Sequence, residues 1–391
     1  MADFASWERE FPLRYVLVRE VDDEDDREAV ELLGRCADAE GLYLPHEYPD
    51  RTVLVLEGCP ADSPLAVMAA GPGGRQLGDL ELLVLEENGD PSAYDYQLGG
   101  VSVVTVRPTA GAPGLVDLVV TADHRDHPYE GRPRYPARPG YAFWSPDRRI
   151  TEPLGHCRHV GGLLARRPAR ADPIQLIGCE PAPALLALLT QRGGRNEEWG
   201  KLAALDRSGR VMATEEVMLH VTEARPSVLG GPLLDVTLAD CGYGYPVLEG
   251  RPVRERWFEG PPTEPNQWAQ LDTWGRREWL ALCRTGPSDS PRSGGTHHLD
   301  GRHVTDVPGL HLAIGEAVLG PGLEMGSNLF WLRDRLWGGT AVVSPFTLVW
   351  HDAETARRCL AGEIVGGDPV RSYFDVVLEV LAERGVTVVL D

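Results

Sequence analysis

The stretch VTVRPTAGAPGLVDLVVTAD, residues 104–123, decides the fold, because the chain repeats it as VTEARPSVLGGPLLDVTLAD at residues 221–240. Three matches share an offset of 118 residues: Arg107-Pro108 with Arg225-Pro226, Asp117 with Asp235, and His127-Pro128 with Tyr245-Pro246. Matches that keep one order and one offset indicate that the chain contains the same structural unit twice.

The repeat continues upstream of these stretches. VLVLEGCP at 53–60 resembles IQLIGCEP at 174–181, with Cys59 and Cys179 at an offset of 120 residues. Earlier still, the tripeptide at 34–36, Gly-Arg-Cys, matches Gly-His-Cys at 155–157. We infer two tandem copies of a module, at 1–138 and 139–283.

Each copy has the pattern of β structure. Short segments rich in Val and Leu, bounded by Gly, Pro or Asp, occur at 52–57, 80–86, 100–106 and 115–121. In the second copy, 202–217 reads as a hairpin that turns at Ser208-Gly209. Short strands separated by turn signals predict that each module is a β-sandwich or a small barrel.

Composition and charge limit the classes of function. The 391 residues are 42% hydrophobic and 25% charged, with 44 glycines and 32 prolines, which is typical of a turn-rich globular protein. Acidic residues outnumber Lys plus Arg by 59 to 38, and a net charge of −21 repels phosphate backbones. We therefore expect a basic protein partner and no direct nucleic-acid binding.

Three further features concern the location of the protein. The sequence has no apolar run of the roughly 18 residues that a membrane span needs, so we expect no membrane association. The amino terminus, MADFASWEREF, lacks the basic and apolar regions of a secretory signal. Seven scattered cysteines favour a reducing compartment over a disulfide framework. Together these features predict a cytoplasmic protein.

The carboxyl-terminal part of the chain differs from the two copies. RTGPSDSPRSGGT at 284–296 predicts a flexible linker, because it has almost nothing to bury. After it the pattern predicts helices at 305–320, 327–339, 352–363 and 372–385, a short strand and turn at 299–304, and strands at 345–352 and 386–390. Strands that alternate with helices imply parallel pairing. We expect an α/β domain at 297–391 with a three-stranded parallel sheet.

Four segments of this domain are informative: LDGRHVTDVPGLHLAIGEAV from residue 299, MGSNLFWLRDRLWGG from 325, FTLVWHD from 346 and FDVVLEVLAERGVTVVLD from 374. In their order and spacing they resemble the barstar family of intracellular ribonuclease inhibitors. The block Gly326-x-Asn328-Leu329 followed by Asp334 is fairly specific. The resemblance covers under a quarter of the chain and implies a barstar-like fold and a nuclease partner; the two upstream copies lie outside it.

The predicted helix at 327–337 indicates which side chains could meet a partner. The stripe expected to face the sheet consists of Leu329, Leu332 and Leu336. The opposite face consists of Phe330, Arg333, Asp334 and Trp337. Aromatic side chains beside an acid have the composition of a binding hot spot. The alternative is that the upstream modules cover the two aromatic side chains.

The resemblance also implies roles for single residues. In the barstar family this helix and the loop before it plug the nuclease active site, and a helix Asp takes the place of a substrate phosphate. Asp334 matches that Asp, and Glu383 matches the second acidic contact. Three contacts depart from the family pattern: Phe330 replaces an interface Asp, Arg333 an interface Trp and Glu324 a loop Tyr. The predicted partner-binding residues are Glu324, Phe330, Arg333, Asp334, Trp337 and Glu383.

Nothing in the sequence indicates an enzyme. It has no GxxxxGK[ST] phosphate loop, no GxSxG elbow and no HExxH zinc pair. His156-Cys157-Arg158-His159 is the most metal-like string, but its spacing is too short for a zinc finger, so we interpret it as a loop or a buried cysteine. We expect no catalytic residues, no metal site and no cofactor.

Two hypotheses about function follow. The first is a cytoplasmic protein that blocks the active site of a basic ribonuclease by acidic mimicry of phosphate, without turnover. The second is a non-inhibitory interaction scaffold whose duplicated β modules carry the binding. An enzyme of unknown class would need clustered carboxylates in a concave site, or a metal on the string at 156–159.

Overall fold

A computed structural model describes residues 7, 9–22, 28–43, 52–71, 76–86, 88–126, 140–146, 153–163, 173–190, 198–239, 246–284, 292–338, 340–365 and 371–391. The chain divides into two compact units. The first is drawn from 1–47, 168–263 and 274–282, and the second from 48–167, 264–273 and 283–391. Both contain an antiparallel sheet, which is curled in the first unit, and the second also contains a smaller region of helices and parallel strands.

The elements are numbered in chain order. The strands are β1 (Tyr15–Asp22), β2 (Glu28–Cys36), β3 (Asp38–Glu40), β4 (Thr52–Pro60), β5 (Gln76–Leu85), β6 (Pro91–Pro108), β7 (Leu115–Asp126), β8 (Gly140–Trp144), β9 (Gly155–Cys157), β10 (His159–Gly161), β11 (Ile174–Pro181), β12 (Trp199–Leu205), β13 (Val211–Met218), β14 (Val221–Pro226), β15 (Leu234–Leu238), β16 (Arg292–Ser293), β17 (Thr296–Asp300), β18 (Val342–Val343), β19 (Phe346–His351), β20 (Ile364–Val365), β21 (Arg371–Ser372) and β22 (Val386–Leu390). The α-helices are α1 (Pro64–Ala70), α2 (Pro183–Thr190), α3 (Arg251–Phe258), α4 (Thr273–Leu282), α5 (Val307–Val318), α6 (Leu329–Arg335), α7 (Ala353–Cys359) and α8 (Tyr373–Glu383). No helix in the described ranges has the length and apolar character needed to cross a membrane.

Each antiparallel sheet takes strands from both copies of the repeat. The order is β13-β12-β1-β2-β11-β15-β14 in the first unit, with β3 on β11, and β10-β4-β7-β6-β5-β8-β9 in the second. β1–β3 belong to the first copy in sequence, yet they pair with β11 and β12 of the second copy. β8–β10 belong to the second copy and pair with β4 and β5 of the first. The copies therefore exchange their first strands, Tyr15–Glu40 for Gly140–Gly161, and these two ranges are called the exchanged segments below.

Both antiparallel sheets contain hydrogen-bonded strands from either side of the predicted module boundary at residue 139. That boundary stays a prediction about the sequence repeat. Part of the predicted linker, 285–291, lies outside the described residues. The described part is paired: Arg292–Ser293 forms β16 beside β18, and Thr296 begins β17.

The strand predictions agree with the first copy and with the hairpin of the second. The four predicted segments fall in β4, β5, β6 and β7. The predicted hairpin is formed by β12 and β13, which pair as far as Leu205 and Val211 around a turn that holds Gly209 at φ +82°. Alternating apolar residues of these strands fill a core in each sheet, including Leu54, Leu118 and Phe143 in the second unit.

In each copy, an aspartate of the repeated motif accepts hydrogen bonds from a glycine amide of a neighbouring strand and from a residue of the turn before its own strand. In the first copy, Asp117 Oδ1 accepts hydrogen bonds from the Gly58 amide (3.1 Å) and the Thr109 hydroxyl (2.6 Å). The Thr109 hydroxyl lowers the pKa of Asp117 and burial opposes it, while the Gly58 amide and Arg107 lower it further. Gly58 occupies a β-bulge of β4 at φ +72°, a backbone conformation that favours glycine.

The second copy repeats this arrangement with its own residues. Asp235 is buried, and its carboxylate accepts from the amides of Gly178 (3.1 Å) and Val228 (3.3 Å). Burial raises the pKa of Asp235, but hydrogen bonds from Ser227 and the two amides, with the charge of Arg225, outweigh burial and lower it overall. The sequence match between the two aspartates thus reflects one structural device used twice.

We expect protonation of these two carboxylates to destabilise the fold. Their folded-state pKa values lie below the ordinary value of about 3.9, so the stabilisation is present above that pH and is lost as the pH falls through the lowered values. Asp117→Asn and Asp235→Asn should each lower the free energy of unfolding at neutral pH by about 1–3 kcal/mol and flatten the acid dependence. Urea unfolding across the pH range measures both effects. Exposed Asp62→Asn is the control, and equal behaviour of all three variants would contradict the assignment.

The parallel strands form the sheet expected for 297–391. β19 lies between β17 and β22, and all three run in the same direction. The four predicted helices are present as α5 to α8, each shorter at its ends than the sequence pattern suggests. α5 begins after Asp306, whose carboxylate accepts from the Gly309 amide at 2.8 Å, a standard N-cap contact. This region of the second unit carries the candidate site.

Candidate functional site

The start of α6 is fixed by the residues just before it. Asn328 is the N-cap, and its Oδ1 accepts a hydrogen bond from the Trp331 amide at 2.9 Å. Gly326 has φ +109°, and a Cβ there would lie 2.2 Å from the Leu332 amide nitrogen and 2.5 Å from the Trp331 carbonyl carbon. Because no side chain fits that space, the segment before α6 can approach the helix closely only with glycine at this position.

The inner face of α6 agrees with the sequence prediction. Leu329, Leu332 and Leu336 are all fully buried. Their spacing of three and four residues places them on one side of the helix, which is the side that a surface helix turns toward the core. This burial leaves the other side of α6 available to solvent.

The outer face of α6 carries an acid and two indoles. Trp337 is 78% exposed and Trp331 is 41% exposed. Asp334, three residues after Trp331 and three before Trp337, is exposed, and among the described residues its carboxylate takes part in no ion pair. Phe330 and Arg333 are half-buried. Large exposed apolar side chains grouped around a charge are unusual on a protein surface and mark interaction sites.

The other two predicted acids are held by arginines of the same region. Glu383 of α8 is exposed, and its Oε2 lies 3.6 Å from Nη2 of Arg333. Glu324 is more enclosed, with Oε1 at 3.8 Å from Nη2 of Arg335 and Oε2 accepting from the Gly326 amide. Glu324 thus helps to hold the segment before α6, and Asp334 is the acid of this face that is open to a partner.

Arginines also stack against both exposed indoles. The guanidinium of Arg384 lies 5.1 Å from the centre of the Trp337 ring, and that of Arg335 lies 5.8 Å from the Trp331 ring. Phe330 meets Trp331 edge to face, with ring centres 5.2 Å apart. Cation–π and ring contacts of this kind limit the rotamers of exposed aromatic side chains, which lowers the entropy lost on binding.

The structure therefore brings all six predicted residues to one region. Phe330, Arg333, Asp334 and Trp337 come from α6 and the residues that end it, Glu383 from α8 and Glu324 from the segment before α6. The sequence prediction missed Trp331. Its spacing of three residues from Asp334 is the signal that could have placed it beside the acid.

The metal-like string does not gather its side chains. His156 and His159 are exposed on β9 and β10, whereas Cys157 is buried. Within the described part of the chain, no three His, Cys, Asp or Glu side chains are grouped so that they could hold a metal ion.

No family model matches this chain. No curated protein matches it either. The described features that bear on function are the exposed face of α6, the paired charges beside it and the repeated β strands.

Proposed function

We propose that the chain is a protein inhibitor of a ribonuclease and that the outer face of α6 occupies the nuclease active site. The observation that carries this proposal is Asp334, an exposed carboxylate without an ion pair among the described residues, with an exposed indole on either side along the helix. The barstar-like character of residues 299–391 is part of the same proposal. The parallel sheet and helices found there support it.

The proposed contact works by replacing substrate phosphate with a carboxylate. A ribonuclease active site is lined by cations that bind phosphate, and Asp334 would meet them with charge-assisted hydrogen bonds. Trp331 and Trp337 would cover the rim of the contact and exclude water from the charge pair, which makes that pair stronger. Phe330 would add apolar area, while Arg333 and Glu383 would stay paired at the edge. Nothing is turned over, because the carboxylate is not a substrate.

The charge of the whole chain supports a basic partner. A net charge of −21 attracts a cationic nuclease over a distance and raises the association rate. Salt screens this attraction, so the association rate should fall as ionic strength rises, with a smaller effect on dissociation. The cytoplasmic location predicted from the sequence belongs to this proposal as well.

Asp334→Ala is the direct test of the proposed contact. Removing one partner of a desolvated charge pair costs about 2 kcal/mol or more, so the inhibition constant should rise at least about 30-fold. The measurement is RNA cleavage by basic, secreted-type ribonucleases in the presence of the purified full-length chain, after co-expression has identified one that the chain inhibits.

Glu354→Ala provides the matched control. Glu354 is an exposed acid on α7 that pairs with Arg357 at 3.0 Å, so its loss makes the same change in net charge. Long-range attraction weakens equally in both variants, and only Asp334→Ala loses the local contact. If the two variants inhibit equally well, Asp334 does not have the role proposed for it.

A scaffold remains the second candidate because one turn of the repeated β region is also apolar and exposed. Val228, between β14 and β15, is 78% exposed. If the β modules carry the binding, Val228→Asp should release a partner that Asp334→Ala retains. The inhibitor proposal expects the opposite pattern in co-purification of the full-length variants.

A further inference from the structure

Two buried cysteines of the first unit face one another across an exchanged segment. Cys36 ends β2, and Cys179 lies in β11. These antiparallel strands pair Arg35 with Glu180, so the next position along the register sets Cys36 opposite Cys179. Both are fully buried, and the Cys179 thiol lies close enough to Cys36 to raise its pKa.

The second unit contains the same arrangement. Cys157 ends β9, in the other exchanged segment, and Cys59 lies in β4. The adjoining strand β10 pairs His159 with Glu57, and extending this register by two positions sets Cys157 opposite Cys59. Both thiols are buried. The Cys59 thiol donates to the Leu56 carbonyl (3.7 Å) and the Cys157 thiol to the His159 carbonyl (3.4 Å), and Cys59 lies close enough to Cys157 to raise its pKa. The four cysteines correspond in sequence, yet each pair joins the exchanged segment of one copy to a strand of the other.

We propose that the two thiol pairs are disulfide sites, and that bonds Cys36–Cys179 and Cys59–Cys157 fasten each exchanged segment to the sheet that receives it. Directly opposed residues of antiparallel strands have Cα atoms about 4.5–5.5 Å apart, within the range of about 4.4–6.8 Å found for disulfides. The pair occurs in both copies, as expected of a feature that belongs to the repeated unit.

The chemistry is thiol–disulfide exchange with a low-molecular-weight disulfide such as glutathione disulfide. The thiolate of one cysteine attacks glutathione disulfide and releases one glutathione thiol. The opposed thiolate then attacks the mixed disulfide and releases the second glutathione. The two cysteine sulfurs lose two electrons and two protons, and the two glutathione thiols carry them away. In a reducing compartment both pairs remain thiols.

Burial controls the rate of this reaction. The neighbouring Cys179 thiol, together with burial, raises the pKa of Cys36, and the neighbouring Cys59 thiol, together with burial, raises the pKa of Cys157. Thiols of high pKa that are closed to solvent react slowly. Exchange therefore requires an opening of the exchanged segment, and mild denaturant should accelerate it.

The test is a disulfide map of the full-length chain. The protein is incubated with glutathione disulfide in dilute urea, free thiols are blocked with N-ethylmaleimide, and the digest is analysed without reduction. We expect peptides that link Cys36 to Cys179 and Cys59 to Cys157, with Cys283 and Cys359 alkylated or glutathionylated. The bridged protein should melt about 5 °C or more above the reduced protein, and reduction should reverse the shift.

Two other outcomes of the disulfide map would overturn the proposal. Links of Cys36 to Cys59 and of Cys157 to Cys179 would place each segment in its own copy and overturn both the proposal and the exchange. Four alkylated cysteines after exchange in urea would also overturn it. Cys36→Ala should abolish one link and leave Cys59–Cys157 intact, which checks that the two sites act separately.

Discussion

Replacing Arg254 with Met should lower the free energy of unfolding by about 3–5 kcal/mol, because it leaves two carboxylates together without a cation in the core of the first unit. Arg254 is only 7% exposed. Its Nη2 donates to Glu215 at 2.6 Å and its Nε donates to Glu278 at 2.5 Å. Both carboxylates are largely buried, so solvent screens this cluster only slightly. The midpoint of urea unfolding measures the change.

The pH dependence of this variant identifies the cause of the loss. Burial raises the pKa of Glu215, and Arg254 opposes that rise. Without Arg254 the folded-state pKa of Glu215 rises further above its unfolded-state pKa. The variant therefore loses stability as the pH rises from the unfolded-state pKa to the folded-state pKa. The difference from wild type should therefore be largest at neutral pH and shrink as the pH falls below about 4, where Glu215 becomes protonated in the unfolded state as well.

Two controls separate buried charge from general disruption. Arg207→Met removes an exposed pair, in which Nη2 lies 2.6 Å from Glu259, and should cost at most about 1 kcal/mol. Replacing Arg254, Glu215 and Glu278 together with apolar residues should recover most of the stability that Arg254→Met loses. If Arg254→Met alone is as stable as wild type at neutral pH, the cluster of Arg254, Glu215 and Glu278 does not act as described.

The repeat and the β character of the copies could be predicted from the sequence, but the exchange of strands could not. Matches such as Asp117 with Asp235 report that one arrangement occurs twice. They are equally consistent with first strands that stay in their own copy, because both arrangements bury the same apolar pattern. Pairing over such distances in sequence, as between Val16 and Ala203, depends on contacts that no local pattern specifies.

The candidate site, too, could be predicted only in part from the sequence. Helical periodicity predicted the buried leucines of α6, since burial follows directly from spacing along one helix. The pairing of Arg333 with Glu383 joins two helices, and that of Arg335 with Glu324 depends on how the preceding segment folds back. Neither could be read from spacing. Both pairings occupy acids that were predicted to bind the partner, Glu383 and Glu324, and they leave Asp334 as the acid open to a partner.

Gly326→Ala should remove α6 from its position and abolish inhibition. The new Cβ would overlap the helix backbone, and the residue would keep a φ near +109°, which alanine strongly disfavours. Strain and overlap together should lower the free energy of unfolding by about 3 kcal/mol or more. Urea unfolding measures the loss of stability, and hydrogen exchange of the α6 amides should show that the opening begins there.

Gly338→Ala, beyond the other end of α6, is the matched control. A Cβ at Gly338 meets no atom of the described residues within 4 Å, and its backbone is outside the left-handed region, so stability should change by less than about 0.5 kcal/mol. Comparison with Asp334→Ala then separates the residue proposed to contact the partner from the residue that positions α6. Asp334→Ala should raise the inhibition constant at least about 30-fold with an unchanged unfolding midpoint, because that carboxylate supports nothing within the described fold. Gly326→Ala should lose both, because this glycine sets where the carboxylate stands; a wild-type midpoint for Gly326→Ala would contradict this account of how α6 is held.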